Sequence, residues 1–541
     1  MKILVIIPAR GNSKGIPRKN IRSLVGKPLI YYAITNALKS KHNLDVFVSS
    51  DDDEILHISQ SLGAKVHKRH IELAQDDTTL DAVIYQAYKD IQENKIDKYN
   101  YVITLQPTSP ILKSLTLDLA IDKILNDNGI DTIISAKEDA HLSWSRVNNQ
   151  YMPNYKERLN RQYLNPIYRE TGGFVITKTE FINENNRFGL NVDLYLLKDG
   201  EEIDIDDYQD WSICEYNLKR KNIVFVVKGN KEFGLGHVYN TLIIANDMTN
   251  HNLTFLVDKD SQLAYEKIKS KFFNVYIQDN DNIVKDIVAL NPDVVINDKL
   301  DNLYQYIDEL KQHDIVVINI EDKGDGAKLA DMVINAIYSS KEFLPKHYFG
   351  PEYYIVRDEF LLTNAKEEIR NNIENILITF GGTDPNNLTL KVVESLYDYC
   401  LLNNIEIHVV AGLGYNMYET LSVYSNLHVH RNVTQISKHM LKADVVFSAM
   451  GRTLYEIASL GIPSILMAQN ERELTHTFGY GQNGFVNLGL FKNIDNKRIL
   501  KEFKKVQECS VRELMNDLML QHNLKSGRKR VIKLINNLIE G

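Results

Sequence analysis

VIIPARGNSKGIPRKNIR, residues 5–22, decides how the start of this chain is read. The apolar run KILVII ends at Pro8, and a loop follows that holds Arg10, Lys14, Arg18, Lys19 and Arg22 with Gly11 and Gly15 among them. An unbroken apolar run is what a strand covered on both faces of a parallel sheet requires. Cations packed this closely repel one another unless an anion sits among them. At the carboxyl end of a parallel strand, backbone N–H groups and the next helix terminus favour anions. The triphosphate of a nucleotide is the economical occupant. The plainer reading, a solvated basic surface loop, is about as common for the bare pattern.

Outward from that loop, short apolar runs alternate with helical periodicity. KILVII, DVFVSS, YVITLQ and DTIISA are predicted strands; PLIYYAITNALKS and TLDAVIYQAYKDIQ between them carry apolar residues at helical spacing. Alternation of this kind builds a mostly parallel sheet with helices on both faces. At 204–220 the text becomes an acidic turn, a helix and a basic junction, and at Ile223 the alternation restarts with IVFVVKGN. LTFLV, DVVIN, IVVIN and DMVIN form one set of strands. After the polar stretch TNAKEEIRNNIEN (363–375), ILITF, IEIHVV, DVVFS and PSILM form another. The expected fold is α/β throughout. A Rossmann-like domain with a mostly parallel sheet spans 1–221, and a bilobed double-Rossmann domain spans 222–541, with lobes of about 222–365 and 366–541. The final basic helix, SGRKRVIKLINNLIE, is expected to pack on a lobe.

The length of 541 residues allows about three or four folding units. A net charge of −8 argues against nucleic acid as a partner. Cys214, Cys400 and Cys509 lie far apart, form no metal spacing and fit a reducing cytosol. The opening apolar run is too short for a signal peptide core, and no stretch approaches the ~20 apolar residues of a membrane span. The expectation is a cytoplasmic protein with no membrane partner.

The first loop resembles the signature IPARGGSKGIPRKN of the CMP-sialic acid synthetases, the acylneuraminate cytidylyltransferases, with Asn12 where that family has glycine. Further strings occur in family order: SSDDDE (49–54), LQPTSP (105–110), LNRQ (159–162) and IDIDD (203–207). The resemblance implies transfer of a cytidylyl group from CTP to the anomeric hydroxyl of a nonulosonic acid, with pyrophosphate released. It implies that Arg10, Gly11, Asn12, Ser13, Lys14 and Lys19 bind the nucleotide, with Arg10 and Lys19 on the triphosphate. Gln106, Arg161 and Gln162 would face the sugar, Arg161 gripping its carboxylate, and Asp204 and Asp206 would hold magnesium. The chemistry suits the residue types. Carboxylates at i and i+2 share a face when extended, magnesium takes hard oxygen ligands with phosphate completing its shell, and a guanidinium binds a carboxylate bidentately. Taken singly, SSDDDE reads as a helix N-terminus, LQPTSP as a turn and Asp-x-Asp as turn or cap residues. The chain departs from the family at Ile111 and Leu112, where an arginine is common, and at YRETGGFVITK (168–178). That segment is nearer to relatives that activate bacterial nonulosonic acids such as legionaminic or pseudaminic acid.

The second half carries a second constellation. IVFVVKGNKEFGLGHVYNTLIIANDM (223–248) is strand, glycine loop, helix, and it places His237 near a helix N-terminus. There the dipole disfavours imidazolium, so the ring stays neutral and able to accept a proton; a structural neighbour of the cap is the commoner use of such a histidine. With ITFGGTDPNN (378–387) and SAMGRTLYEIASLGIPSILMAQNERE (448–473), it resembles the UDP-sugar hydrolase of pseudaminic acid synthesis, a GT-B fold of the MurG type. The resemblance implies that His237 activates water, Gly381 and Gly382 cradle a diphosphate, and Glu456 and Asn470 contact the nucleotide. Lys228-Gly229-Asn230 and Tyr239-Asn240 depart from that family's pattern. The reading is thus a fused pair of enzymes acting on CTP, a nonulosonic acid and a UDP-sugar, expected as a homodimer. The alternatives for the second half are a glycosyltransferase and a non-catalytic nucleotide-sugar-binding or assembly module.

Overall fold

A computed structural model describes residues 1–540 apart from 14, 76, 94, 97, 231–233, 339–343, 383, 413 and 432. The chain divides into two units, Met1–Arg220 and Lys221–Gly541.

In the first unit a seven-stranded sheet runs in the order Val192–Leu196, Thr132–Glu138, Tyr168–Lys178, Tyr101–Leu105, Ile3–Pro8, Leu44–Ser50, Lys65–Lys68. The first strand sits between parallel neighbours, Leu44–Ser50 and Tyr101–Leu105. Its side chains are buried on both faces: Ile3, Val5 and Ile7 join one apolar cluster, Leu4 and Ile6 another. At about 1.5–3 kcal/mol for each large apolar side chain taken out of water, this strand anchors both layers. Tyr168–Lys178 is the exception to the parallel pattern, antiparallel to both neighbours, with a register shift between Glu170 and Val175. Gly172 and Gly173 lie within that shift, where a glycine tolerates the bulge and the close approach of other chain segments. Strand order reverses at Ile3–Pro8 and Tyr101–Leu105. The loops leaving these two strands, 9–22 and LQPTSP, therefore flank the crevice in which open α/β sheets bind ligands.

The second unit holds two parallel sheets, one in each lobe. The first lobe orders its strands Asn274–Ile277, Asn252–Val257, Asn222–Val227, Val294–Asp298, Val316–Ile320, Met332–Asn335, His347–Phe349. The second orders them Leu427–Arg431, Glu406–Ala411, Asn375–Thr379, Val445–Ala449, Ser464–Ala468, Phe485–Leu490. Both have the strand-order reversal of doubly wound sheets. The reversals fall at Asn222–Val227 beside Val294–Asp298, and at Asn375–Thr379 beside Val445–Ala449. Residues 363–374 form no helix or strand, and the next strand begins at Asn375. The terminal helix Gly527–Glu540 does pack on a lobe, but on the first: Val531, Ile535 and Ile539, spaced i, i+4, i+8 along one helix face, join Ile223, Phe225 and Val227. The expected boundary between lobes at 365 and 366 thus fails for the chain's end, because the apolar stripe of that helix is completed only by the first sheet. Among the described residues, no helix is long and apolar enough to cross a membrane.

Candidate functional site

In the first unit the basic loop is held from below by the acids of 51–54. Gly11 N–H donates to Asp51 Oδ1 at 3.1 Å, and a Cβ on Gly11 would lie 2.7 Å from Asp52 Oδ2. Asn20 Nδ2 closes the loop on the Arg10 carbonyl at 2.9 Å. Asp52 also caps the helix Asp53–Ser61, accepting from Glu54 and Ile55 N–H, so SSDDDE is both a helix start and a brace for the loop. The cations of the loop divide. Arg18, at φ 57°, turns to Asp52 (2.7 Å) and Glu54 (2.5 Å), and Arg22 lies over the Tyr208 ring. Protein acids therefore neutralise part of the charge that the bare sequence leaves to a ligand. Lys19 turns the other way and donates from Nζ to the Ile205 carbonyl at 2.6 Å.

That contact joins the loop to IDIDD. Gly15 presses against the same segment: a Cβ there would meet the Asp206 carbonyl oxygen at 2.4 Å. Ile205 N–H in turn donates to the Thr108 carbonyl at 2.8 Å, so 9–22, 105–110 and 203–207 meet at one place. Burial pushes the Lys19 ammonium below its ordinary pKa, with Asp206 and Asp204 opposing. Burial raises the Asp204 carboxyl, and the Asp206 charge adds to the rise. The Thr108 hydroxyl bonds the Asp204 carboxyl and works against that rise, whereas Ser109 Oγ is buried with no hydrogen-bond partner among the described residues. A carboxylate pair beside a buried, unpartnered hydroxyl fits a hard cation and its phosphate ligands. Among the described residues no set of three or more His, Cys, Asp or Glu could hold a metal, so two carboxylates would need substrate oxygens and water to complete a magnesium shell.

The other residues singled out from the sequence are spread more widely. Asn12 is exposed, Ser13 and Gln106 are half-buried, and Lys14 lies outside the described residues. Arg161 and Gln162 are exposed on the turn Arg161–Tyr163. Sequence reasoning missed Arg69, which is buried and donates to the Ser49 carbonyl at 2.7 Å; desolvation lowers its pKa to about 10, and it feels the Arg10 charge. It also missed Thr108 and Ser109 as individual residues, although the hydroxyls of LQPTSP were the available signal.

In the second unit His237 is the second residue of the helix Gly236–Asn246, and it is buried. Its Nδ1 lies 2.5 Å from Asp298 Oδ1, and Asn240 Nδ2 donates to Asp298 Oδ2 at 2.8 Å. The second lobe supplies Arg452, whose Nη2 donates to Glu321 Oε2 at 2.7 Å and reaches 3.5 Å from His237 Nδ1. Glu321 has φ 55°, uncommon for a non-glycine residue and a mark of imposed conformation. Its burial raises its carboxyl pKa, with Arg452 opposing. Arg472, also from the second lobe, donates to Tyr338 Oη at 2.6 Å and pairs with Asp301 at 3.3 Å. His476 packs edge-on against the Tyr338 ring, and desolvation lowers its pKa to about 4. Asp298, Glu321 and Arg452 were not singled out from the sequence. Their signal was position: Asp298 ends a strand at the order reversal, and Arg452 follows another.

Gly381 and Gly382 are exposed in a turn, and Gly382 packs on Gly412, where a Cβ would lie 2.5 Å from the Gly382 Cα. The next helix begins at Leu388, and Asp384 accepts from its Leu388 and Thr389 N–H groups at 2.9 and 2.8 Å. An acidic cap therefore holds the helix terminus nearest the Gly381–Gly382 turn, which the resemblance gives to a diphosphate. Glu456 is buried and paired with Arg357 at 2.5 Å, and Asn470 is exposed, its Oδ1 accepting from Glu473 N–H at 3.0 Å.

A cytidylyltransferase family model matches residues 4–211. The chain is 35% identical over 227 residues to a pseudaminic acid cytidylyltransferase of Campylobacter jejuni, covering 40% of this chain and 97% of that one. It is 24% identical over 560 residues to a Helicobacter pylori protein described as a pseudaminic acid cytidylyltransferase and UDP-2,4-diacetamido-2,4,6-trideoxy-beta-L-altropyranose hydrolase, covering 99% of this chain and 100% of that one. An uncharacterized protein of Methanocaldococcus jannaschii is 32% identical over 277 residues, covering 46% of this chain, which spans 56% of that protein's length. Through its first unit, the chain belongs to the cytidylyltransferase family.

Proposed function

We propose that the first unit transfers a cytidylyl group from CTP to a nonulosonic acid, giving a CMP-sugar and pyrophosphate. The observation that carries this reading is the Lys19 bridge to Ile205 at 2.6 Å, which sets the basic loop against the Asp204–Asp206 pair. Arg10 and Lys19 would take the triphosphate and Asp204 and Asp206 magnesium, which would neutralise charge at the α-phosphate and the departing pyrophosphate. The protein's own work is positioning. The loop orients the phosphates, and the buried, unpartnered hydroxyl of Ser109 offers a donor where charge gathers. The fit of the chain to the Campylobacter enzyme makes pseudaminic acid the first acid to test. Pyrophosphate release with CTP, magnesium and a panel of pseudaminic, legionaminic, sialic and Kdo acids tests the reading. Release with one acid, lost in Asp206→Ala, supports it; no release with any acid refutes it.

The second unit is read as a UDP-sugar hydrolase acting earlier in the same pathway. End-to-end similarity to the Helicobacter protein and the buried His237 between two lobes support this. Release of UDP from a UDP-sugar without an acceptor, lost in His237→Gln, separates it from a glycosyltransferase or a binding module. The reaction is placed in the cytoplasm, where CTP is made. The hairpin of Trp144–Val147 and Gln150–Pro153 exposes Trp144, Tyr151 and Met152, and supports a homodimer formed through that arm. Sedimentation velocity of Trp144→Glu with Tyr151→Glu would then give a monomer; an unchanged dimer would place the interface elsewhere.

A further inference from the structure

The second unit contains an acid that no reading of the sequence singled out, in direct contact with its buried histidine. We propose that Asp298 is the positioning residue for His237: it holds the ring as the Nδ1–H tautomer and leaves Nε2 as the nitrogen that takes a proton from water. This rests on the reading of the second unit as a UDP-sugar hydrolase.

Two groups compete for Nδ1. Asp298 Oδ1 lies 2.5 Å away, whereas Arg452 Nη2 is at 3.5 Å and already donates to Glu321 at 2.7 Å. A contact at 3.5 Å is at the limit of hydrogen bonding, and one at 2.5 Å is short and charge-assisted. The proton therefore sits on Nδ1 and faces the carboxylate. Which ring nitrogen of a neutral histidine is basic follows from the hydrogen bond made by the other. No hydrogen bond among the described residues reaches Nε2.

Asp298 is itself fixed. It is fully buried at the end of the strand Val294–Asp298, and Asn240, one helical turn beyond His237, donates to its second oxygen. His237 and Asn240 lie three residues apart on one helix face, so a single carboxylate clamps that face to the sheet. Thr241 Oγ1 donates to the His237 carbonyl at 3.0 Å. The reaction balances without an oxidant or a metal. Water adds to the anomeric carbon as the bond from that carbon to the diphosphate oxygen breaks; UDP leaves with the bonding electrons, and the proton lost by water passes to Nε2.

Asp298→Asn keeps the shape and reverses the hydrogen bond. Asn240 continues to donate to the remaining oxygen, which turns the new amide NH2 toward Nδ1, and a donor there drives the proton to Nε2. The test uses the full chain labelled with 15N-histidine, with the His237 signals assigned from their loss in His237→Gln. Expected are Nδ1–H in the parent protein, Nε2–H in Asp298→Asn, and a fall of about 10²-fold or more in kcat for UDP release with KM within about threefold. Retained UDP affinity by calorimetry shows that the variant is folded. An Nε2–H ring in the parent protein, or Asp298→Asn turning over within about threefold of it, overturns the proposal. Failure of the parent protein to release UDP from any UDP-sugar refutes the hydrolase reading separately, and the tautomer spectrum then judges Asp298 by itself.

Discussion

Gly15→Ala is the sharpest perturbation of the first unit, because it touches the join between the basic loop and the Asp-x-Asp segment without removing a functional group. The added Cβ would lie 2.4 Å from the Asp206 carbonyl oxygen, whereas ordinary contact begins at 3.4 Å. The obstructing atom is backbone, so no rotamer change relieves it, and one of the two segments must retreat by about 1 Å. Overpacking of this size costs about 1–3 kcal/mol, or a few degrees in Tm for a unit of this length. The effect on chemistry is larger. A displacement of about 1 Å between groups that must act together costs about 10²-fold, so kcat/KM for pyrophosphate release is expected to fall about that far while most of the protein stays folded at 25 °C. Gly26→Ala is the control. Gly26 has φ +75° with open space around it, so alanine there costs about 1 kcal/mol in backbone strain and displaces nothing. Measuring pyrophosphate release and Tm for both variants separates stability from position. Gly15→Ala turning over within about threefold of the parent, or Gly26→Ala losing as much activity, would refute the argument.

Asp204→Asn should raise the Tm of the metal-free protein near pH 7 while abolishing pyrophosphate release. Burial raises the Asp204 pKa in the fold, so its stabilising contribution is present below the unfolded value of about 3.9 and is lost as pH rises through the folded value. The Tm gain should therefore shrink toward about pH 4, and a pH-independent gain would count against this cause. Chelation of magnesium should stop pyrophosphate release and its return should restore it; activity that survives exhaustive chelation would remove the metal from the scheme. Gly412→Ala, whose Cβ would lie 2.5 Å from the Gly382 Cα, should displace the Gly381–Gly382 turn and weaken UDP binding about tenfold or more by calorimetry. Unchanged affinity would exclude that turn from the nucleotide site.

Much of this protein was legible before any fold was known. Strand–helix alternation is local, since each apolar run and each helical stripe records its own burial, and so the α/β class, the two halves and their parallel sheets follow from the text. The loop 9–22 was legible for the same reason: its strand, glycines and cations are contiguous. What pairs with what was not. That Arg18 turns to Asp52 and Glu54 while Lys19 turns to Ile205 depends on segments 34 and 186 residues away, which nothing in the loop encodes. Asp384 holding the helix start beyond Gly382, the return of the terminal helix to the first lobe, and Asp298 under His237 are likewise decisions of packing. A sequence states which chemistry each residue carries. Which acid meets which base, and which buried oxygen is left over for a ligand, is settled only where strand ends far apart in the chain converge at the order reversal of a sheet.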